Sequence, residues 1–341
     1  MKGGRNFVAT VAAISAIILG GLLLFSSSVA YSQLQYLSNT GTESNKSTSP
    51  MAGNAVSSSN DNNTNGSSNK VVMVTFDDGP KNQYTIAKPI LDKYGFKATF
   101  FIVCNLVGIN ELEMNWQEIS TLQKEGHDIE SHTMNHKDLT KLSAQALEFE
   151  VGQSKQCLAD HGSNAAIFAY PDAIGYDNAT VVNIVAKYYS LAKTAGFSLM
   201  YLNCNGWDKS LLLYYNKSSQ TDCRTYSDDG VLTFANRYSV RSWPHDDVAI
   251  RNSFNDTAVF KEFIELVNSQ ADFNKNGTIN AIPILTYHNI DYSKRQPYHT
   301  DVGLFDAEMK YLHDNGFKVL PMNDLGYDGN SKDLYVKKVY S

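Results

Sequence analysis

From residue 70 onward, short apolar segments alternate with longer segments in which apolar residues recur at helical spacing. The segments "VVMVTF" and "KATFFIV" are short and rich in β-branched and aromatic residues, so each predicts a strand. Between them, "TIAKPILDKYG" repeats its apolar residues at helical spacing and closes with Gly95, which predicts a helix ended by glycine. The pattern of this region is therefore strand, helix, strand.

The same alternation continues to residue 320. Further strands are predicted at "HDIESH", "AAIFAYP", "FSLMYL", "VLTFANRYSV", "AIPILTYH" and "FKVL". Further helices are predicted at "WQEISTLQKEG", "LSAQALEFEVGQSKQCLADHG", "NATVVNIVAKYYSLAKTAG", "AVFKEFIELVNSQ" and "LFDAEMKYLHDNG". Such regular alternation predicts an α/β fold in which parallel strands are joined by right-handed crossovers, and seven or eight such units favour a closed barrel.

The sequence before this region has a different character. In residues 1–32, Lys2 and Arg5 precede the largely apolar run "FVATVAAISAIILGGLLLF", which predicts a signal peptide or an uncleaved membrane anchor. Residues 33–69 are dominated by Ser, Asn, Thr and Gly and predict a flexible linker. We therefore expect residues 70–341 to form an extracellular domain, either secreted or anchored to the outer face of the cell membrane.

The net charge of the chain argues against two classes of binding partner. The 341-residue chain has a net charge of -6 and no block of Lys and Arg, so neither a nucleic acid nor an anionic membrane surface is expected as a partner, and no protein partner is predicted.

Four cysteines allow three pairings. We favour Cys204 with Cys223, because these two bracket one polar segment; buried free thiols are the alternative.

Polar residues collect where predicted strands end. The segments are "DDGP", "SHTMNH", "YPD", "NR" and "TYHNID". In barrels of this kind the carboxyl ends of the strands form the active site. His132 and His136 are four residues apart, so a helix beginning there would direct both imidazoles to one ion, although such a pair is often only a solvated or packed pair. One carboxylate from the first strand would complete a two-His-one-carboxylate metal site.

The motifs "TFDDGP", "SHTMNH", "FAYPDAIGY" and "ILTYHNID", in this order, resemble those of the polysaccharide deacetylases of the NodB-homology type, carbohydrate esterase family 4. The resemblance covers roughly residues 70 to 322. It implies a distorted (β/α) barrel that holds one divalent metal ion. It also implies that the protein removes acetyl groups from an acetylated polysaccharide. Zinc is the expected ion, and the mixed N/O ligand set also suits cobalt, manganese, nickel or iron.

The resemblance also implies roles for individual residues. Asp78, His132 and His136 would hold the metal, Asp77 would be the general base that takes a proton from the attacking water, and His288 would protonate the leaving amine. The two aspartates would thus be adjacent because one binds the ion while its neighbour accepts a proton.

The third motif departs from the family. Where many members have Arg-Pro-Pro-Tyr, this chain has Ala169, Tyr170, Pro171 and Asp172, so the arginine that orients the catalytic aspartate is missing. The backbone N–H of Asp172 is still expected to stabilise the oxyanion. We expect the guanidinium of Arg237 to replace the missing arginine; a surface ion pair is its alternative role.

Substrate contacts are predicted from the same motifs. The residues expected at the sugar or the acetyl group are Tyr170, Pro171, Leu285 and Tyr287, with Trp207 as a further aromatic candidate. The leucine that lines the acetyl pocket in the family stands two residues before the last histidine, and Thr286 occupies that position here. The expected function is an exported, metal-dependent removal of N-acetyl groups. The alternatives are an O-acetyl esterase of the xylan type and an inactive glycan-binding module.

Overall fold

The computed structural model describes residues 69–196, 199–202, 237–292, 297–331 and 333–337. The predicted leader, and all but the last residue of the predicted linker, lie outside these ranges. Within them, no helix is both long enough and apolar enough to cross a lipid bilayer.

The strands and helices of the described residues alternate along most of the chain. The strands are β1 (Val71–Phe76), β2 (Thr99–Ile102), β3 (Asp128–Ser131), β4 (Ile167–Ala169), β5 (Leu191–Ala195), β6 (Met200–Tyr201), β7 (Val240–Pro244), β8 (Ala281–Ile282), β9 (Ile284–Tyr287), β10 (Asn289–Asp291), β11 (His299–Asp301), β12 (Lys318–Leu320), β13 (Leu325–Tyr327) and β14 (Leu334–Val336). The α-helices are α1 (Lys88–Lys93), α2 (Trp116–Lys124), α3 (Ala144–Glu148), α4 (Ser154–Asp160), α5 (Ala179–Tyr188), α6 (His245–Arg251), α7 (Asp256–Ser269) and α8 (Val302–Asp314). Turns of π-helix at Gln83–Ala87 and Phe149–Gln153 continue into α1 and join α3 to α4.

Seven parallel strands close into a barrel in the order β1, β2, β3, β4, β5, β7, β9. The ring closes because β9 also pairs with β1, from Met73 opposite Ile284 to Phe76 opposite Tyr287. An eighth strand, β12, pairs with the first half of β1, while β2 pairs with its second half. The α/β barrel expected from the sequence is confirmed, and its carboxyl-terminal rim is where a site is expected.

Side chains alternate between the barrel interior and the surrounding helices, as the two-residue period of a strand requires. Along β1, Val71 and Met73 belong to the inner apolar cluster, whereas Val72, Val74 and Phe76 pack in the layer between strands and helices. The buried residue Thr75 and the residue after the strand, Asp77, continue the inward series. The barrel interior is therefore apolar at its base and polar towards its rim.

Several predicted elements differ from those observed. The helix predicted through "NATVVNIVAKYYSLAKTAG" ends at Tyr188, and the last part of that segment is barrel strand β5. The segment "FSLMYL" supplies β6, which pairs antiparallel with β8 and is not a barrel strand. Of "VLTFANRYSV", residues 231–236 lie outside the described part of the chain, and β7 begins only at Val240. Helix α6 was not predicted.

A disulfide joins Cys104, just after β2, to Cys157 in α4. It closes a loop with a sequence separation of 53 residues. The prediction that Cys204 pairs with Cys223 concerns residues outside the described part of the chain.

Candidate active site

Two adjacent carboxylates at the end of β1 point in different directions. The N–H of Asp77 donates to the carbonyl of Tyr287 at 3.0 Å, which continues the pairing with β9. Asp78 has a φ of 74° and Gly79 a φ of 92°, so the chain turns sharply at the second aspartate. As a result, Asp77 is buried at 7% exposure, whereas the side chain of Asp78 stands at the rim with 35% exposure.

Asp78 lies beside two imidazoles. Its Oδ1 is 3.5 Å from Nε2 of His132 and 3.4 Å from Nε2 of His136, and the ligand atoms of the three residues lie within 4.8 Å of one another. Nδ1 of His132 donates to the carbonyl of Ala169 at 2.9 Å, so Nε2 faces Asp78. Burial lowers the pKa of His132, which keeps the imidazole neutral and able to act as a ligand.

No helix carries the two histidines. The segment after β3 is a loop, in which Thr133 and His136 both adopt left-handed backbone angles, with φ of 73° and 53°. Oγ1 of Thr133 accepts the N–H of His136 at 2.9 Å and tightens this loop. The four-residue spacing brings the imidazoles together, but through a turn and not through a helical face.

These three groups fit a divalent metal ion. Two imidazole nitrogens and one carboxylate oxygen form the two-His-one-carboxylate set, which leaves coordination positions open for water and substrate. The hydrogen bond from His132 to a backbone carbonyl is the outer support that metal-binding histidines usually have.

Asp77 is paired with a lysine that the sequence reasoning missed. Nζ of Lys193, on β5, donates to both carboxylate oxygens of Asp77 at 2.9 and 2.8 Å and to Oγ1 of Thr286 at 3.1 Å. Lys193 is only 3% exposed. Burial alone would raise the pKa of Asp77, but the charges of Lys193, His132 and His288 outweigh it and hold this pKa below its usual value. Asp77 is therefore ionised at neutral pH.

The expectation that Arg237 would take the place of the missing arginine is wrong. Arg237 precedes β7 and so lies at the amino-terminal end of the barrel, where its guanidinium covers the rings of Tyr238 and Tyr327 at 4.7 and 4.5 Å. The ammonium of Lys193 holds that place instead, and Thr286, which departs from the family's leucine, supports it.

His288 is paired with a second missed residue. Its Nδ1 is 2.6 Å from Oδ2 of Asp246, a residue of α6. Asp246 is 3% exposed. Burial lowers the pKa of His288, but the hydrogen bond and charge of Asp246 outweigh this and raise it to about 9. The amide of Gln83 donates to the carbonyls of Asp77 and His288 at 2.6 and 3.0 Å and so ties the two strand ends together.

The residues predicted to contact substrate are mostly buried. Leu285 and Tyr287 are 0% exposed and Tyr170 is 3% exposed, and Pro171 is also buried. All but Pro171 belong to the layer between strands and helices, because they alternate with the inward-facing residues. Their burial in this layer argues against direct substrate contact by Tyr170, Leu285 and Tyr287, while the substrate role of Pro171 stays a prediction. Trp207 lies outside the described part of the chain.

Asp172, in contrast, lies at the rim. It is exposed, in the turn after β4, and has a left-handed φ of 52°. A groove of about 690 Å³ opens beside Asp78 and His136. Its other lining residues include Lys81, Leu106, Glu111, Glu113, Asn289 and Asp291.

Residues 64–189 match a family model described as polysaccharide deacetylase. A chitin deacetylase of Arthroderma benhamiae is 33% identical over 144 residues, covering 38% of this chain and 38% of that protein. A peptidoglycan-N-acetylglucosamine deacetylase of Bacillus cereus is 28% identical over 188 residues, covering 55% of this chain and 75% of that protein. A family 4 carbohydrate esterase from Streptomyces lividans, solved in complex with acetate, has a TM-score of 0.45 at 15% identity, covering 74% of this chain and 92% of that chain.

The family match confirms the resemblance that the motifs predicted. It includes Asp77, Asp78 and both histidines of the cluster, and it ends before Lys193. The chain spans 37%, 21% and 38% of the lengths of three curated relatives that it matches.

Proposed function

We propose that this chain, whose residues 64–189 match the polysaccharide deacetylase family model, is a metal-dependent hydrolase that removes N-acetyl groups from an amino-sugar polysaccharide. The observation that carries the proposal is the pairing of buried Asp77 with Lys193, directly beside the cluster of Asp78, His132 and His136. In this arrangement the two adjacent aspartates have different roles: Asp77 accepts a proton and Asp78 serves as a metal ligand.

Asp78, His132 and His136 would hold the ion, and zinc is the ion that we propose first. Cobalt, manganese, nickel and iron have compatible ligand preferences. When bound, such an ion polarises the acetyl carbonyl and lowers the pKa of a water molecule to about 7. The remaining chemistry belongs to residues of this chain.

Asp77 is the general base in this proposal. Its carboxylate is kept ionised by Lys193, so it can accept the proton of the water that attacks the acetyl carbon. Lys193 holds both carboxylate oxygens and fixes the direction in which the base can act. The backbone N–H of Asp172, at the opposite side of the rim, would donate to the oxyanion.

His288 is the general acid. When the C–N bond breaks, the departing nitrogen needs a proton, and the Nε2 of His288 supplies it, because Asp246 holds the other ring nitrogen. A pKa of about 9 keeps this imidazole protonated at neutral pH. An acid of this kind suits the release of an amine, which favours an amide substrate over an ester. The products are acetate and a free amino sugar.

The groove beside Asp78 supports a polymeric substrate, since its volume of about 690 Å³ exceeds that of one acetamido group. Two relatives are named as deacetylases of chitin and of peptidoglycan N-acetylglucosamine. We propose an N-acetylglucosamine polymer as the substrate class. We further propose that the domain acts outside the cell, which the leader pattern and the disulfide of Cys104 with Cys157 support.

Acetate release from N-acetylglucosamine tetramer and from acetylated xylan tests this proposal. The metal-loaded full chain should release acetate mainly from the tetramer, and Asp77→Asn should lower the rate about 10²- to 10⁴-fold. The matched control is Asp160→Asn, an exposed aspartate in α4, which should leave the rate unchanged. Release mainly from xylan would identify an O-acetyl esterase instead. Binding of the tetramer without any release would identify a glycan-binding module.

A further inference from the structure

Tyr298 is an exposed aromatic residue beside the general acid. Its ring centroid is 5.2 Å from the imidazole centroid of His288, with the two planes at 72°. The side chain is nevertheless 53% exposed. A large aromatic side chain in this position leaves apolar surface open to solvent next to the reacting groups.

The backbone at Tyr298 is in a left-handed conformation, with a φ of 62°. This conformation is unfavourable for a bulky residue, and such outliers concentrate at functional sites. The conformation alone assigns no role, since Ser253, Phe254 and Asn276 also have positive φ. Asp78, His136 and Asp172 share it as well, with φ of 74°, 53° and 52°, and each has a place in the proposed chemistry. Tyr298 combines this conformation with a position beside His288.

Three contacts fix the backbone on which Tyr298 stands. Its carbonyl accepts the N–H of Asn289 at 2.9 Å, where β10 runs beside β11. In the next residue, Nδ1 of His299 is 2.6 Å from Oδ2 of Asp291. The residue after that, Thr300, is buried and its Oγ1 is 3.0 Å from Nδ1 of the buried His245. The ring is therefore presented from a firmly held segment.

Carboxylates of the rim act on the hydroxyl of Tyr298. Burial raises the pKa of the Tyr298 hydroxyl, and the carboxylates of Asp172 and Asp247 raise it further. The ring contacts His288, and Asp172, the residue proposed to supply the oxyanion donor, stands at the same rim. A sugar that delivers its acetamido group between these two would come within reach of the ring.

We propose that Tyr298 is a substrate-binding residue, whose ring packs against the pyranose ring that carries the departing amine. A pyranose ring has an apolar face of C–H groups, which an exposed aromatic ring can cover while hydroxyl groups stay in water. This inference rests on the proposed function, because it takes the amino-sugar polymer as the ligand. It assigns Tyr298 to binding and leaves proton transfer to Asp77 and His288.

The test uses binding of N-acetylglucosamine tetramer to the full chain, measured by calorimetry, with acetate release measured in parallel. Tyr298→Gly removes the ring and also suits the left-handed backbone, so it should fold at least as well as wild type. We expect this variant to bind the tetramer about tenfold more weakly. Its KM should rise while kcat changes little. Tyr298→Phe should behave as wild type, and so should Tyr335→Ala, at an exposed tyrosine on β14.

The two readouts separate this inference from the proposed function. Equal tetramer binding by wild type and Tyr298→Gly overturns the role of Tyr298, and so does the absence of any tetramer binding by wild type. If wild type binds the tetramer, Tyr298→Gly binds it weakly and neither releases acetate, the role of Tyr298 in binding is supported and the proposed hydrolysis is wrong.

Discussion

Replacing Lys193 with methionine tests the electrostatic design of the site. Methionine preserves most of the length of the side chain and removes the ammonium that donates to both oxygens of Asp77. With the charge gone, burial raises the pKa of Asp77, because His132 and His288 alone oppose it. We therefore expect a general base that is partly protonated at neutral pH.

The expected size of the effect follows from the burial of both partners. Lys193 is 3% and Asp77 7% exposed, and removing one member of a buried pair typically costs about 3 to 5 kcal/mol of stability. Part of that cost disappears if Asp77 binds a proton. A positioned base contributes about 10²- to 10⁴-fold to a rate, so kcat at pH 7 should fall by about 100-fold or more.

The pH dependence distinguishes this explanation from a general loss of structure. The lowered pKa of Asp77 contributes to stability at neutral pH, and that contribution is lost as the pH falls through this pKa in the folded state. In Lys193→Met the acid limb of kcat should move to higher pH, so that raising the pH recovers part of the rate. The control is Lys155→Met, which removes a half-buried ammonium that donates to the carbonyl of Ala165, at the amino-terminal end of β4 and so at the opposite end of the barrel from Asp77. An unmoved acid limb, with kcat within about threefold of wild type, would show that Lys193 does not control the ionisation of Asp77.

Three further predictions concern the general acid, the disulfide and a buried tyrosine. Wild-type activity should fall as the pH rises through about 9, and Asp246→Asn should move this basic limb to lower pH in a kcat profile, because the charge that raises the pKa of His288 is lost. Cys157→Ser opens a loop of 53 residues and should cost about 4 kcal/mol of stability, measured by urea unfolding without reductant. Tyr287→Phe removes a 2.8 Å hydrogen bond to buried Glu308 and should cost about 1 to 3 kcal/mol of stability, while KM stays unchanged. A raised KM would instead indicate that Tyr287 contacts the substrate, a role that its burial argues against.

The barrel and the rim that carries the candidate site could be predicted because parallel strands have a strong sequence signature and collect their carboxyl ends on one face. The directions of individual side chains on the strands were not predicted, and the predicted substrate contacts depended on them. On β9, Thr286 and His288 share the inward-facing side, so Leu285 and Tyr287 must face the helices. The two-residue period was readable in the sequence, and applying it at Tyr170 would have removed the same error.

Lys193 and Asp246 were missed for different reasons. Apolar residues at helical spacing continue from α5 past Tyr189, with neither Gly nor Pro before Gly196, so nothing local marks the start of β5. Asp246 lies 42 residues before its partner His288, and only the closed barrel brings them together. Contacts of this kind depend on tertiary structure, which motif spacing does not encode.

In the proposed site, one carboxylate and two imidazoles hold a divalent ion beside a separate proton acceptor. Metal content and acetate release from N-acetylglucosamine tetramer, measured on the same preparations, test this arrangement. Wild type should bind about one ion and lose activity on chelation, Asp77→Asn should keep the ion and lose about 10²- to 10⁴-fold in rate, and His132→Ala should lose both. Undiminished acetate release by chelated wild type, or full metal content and rate in His132→Ala, would show that these three residues do not hold a catalytic ion.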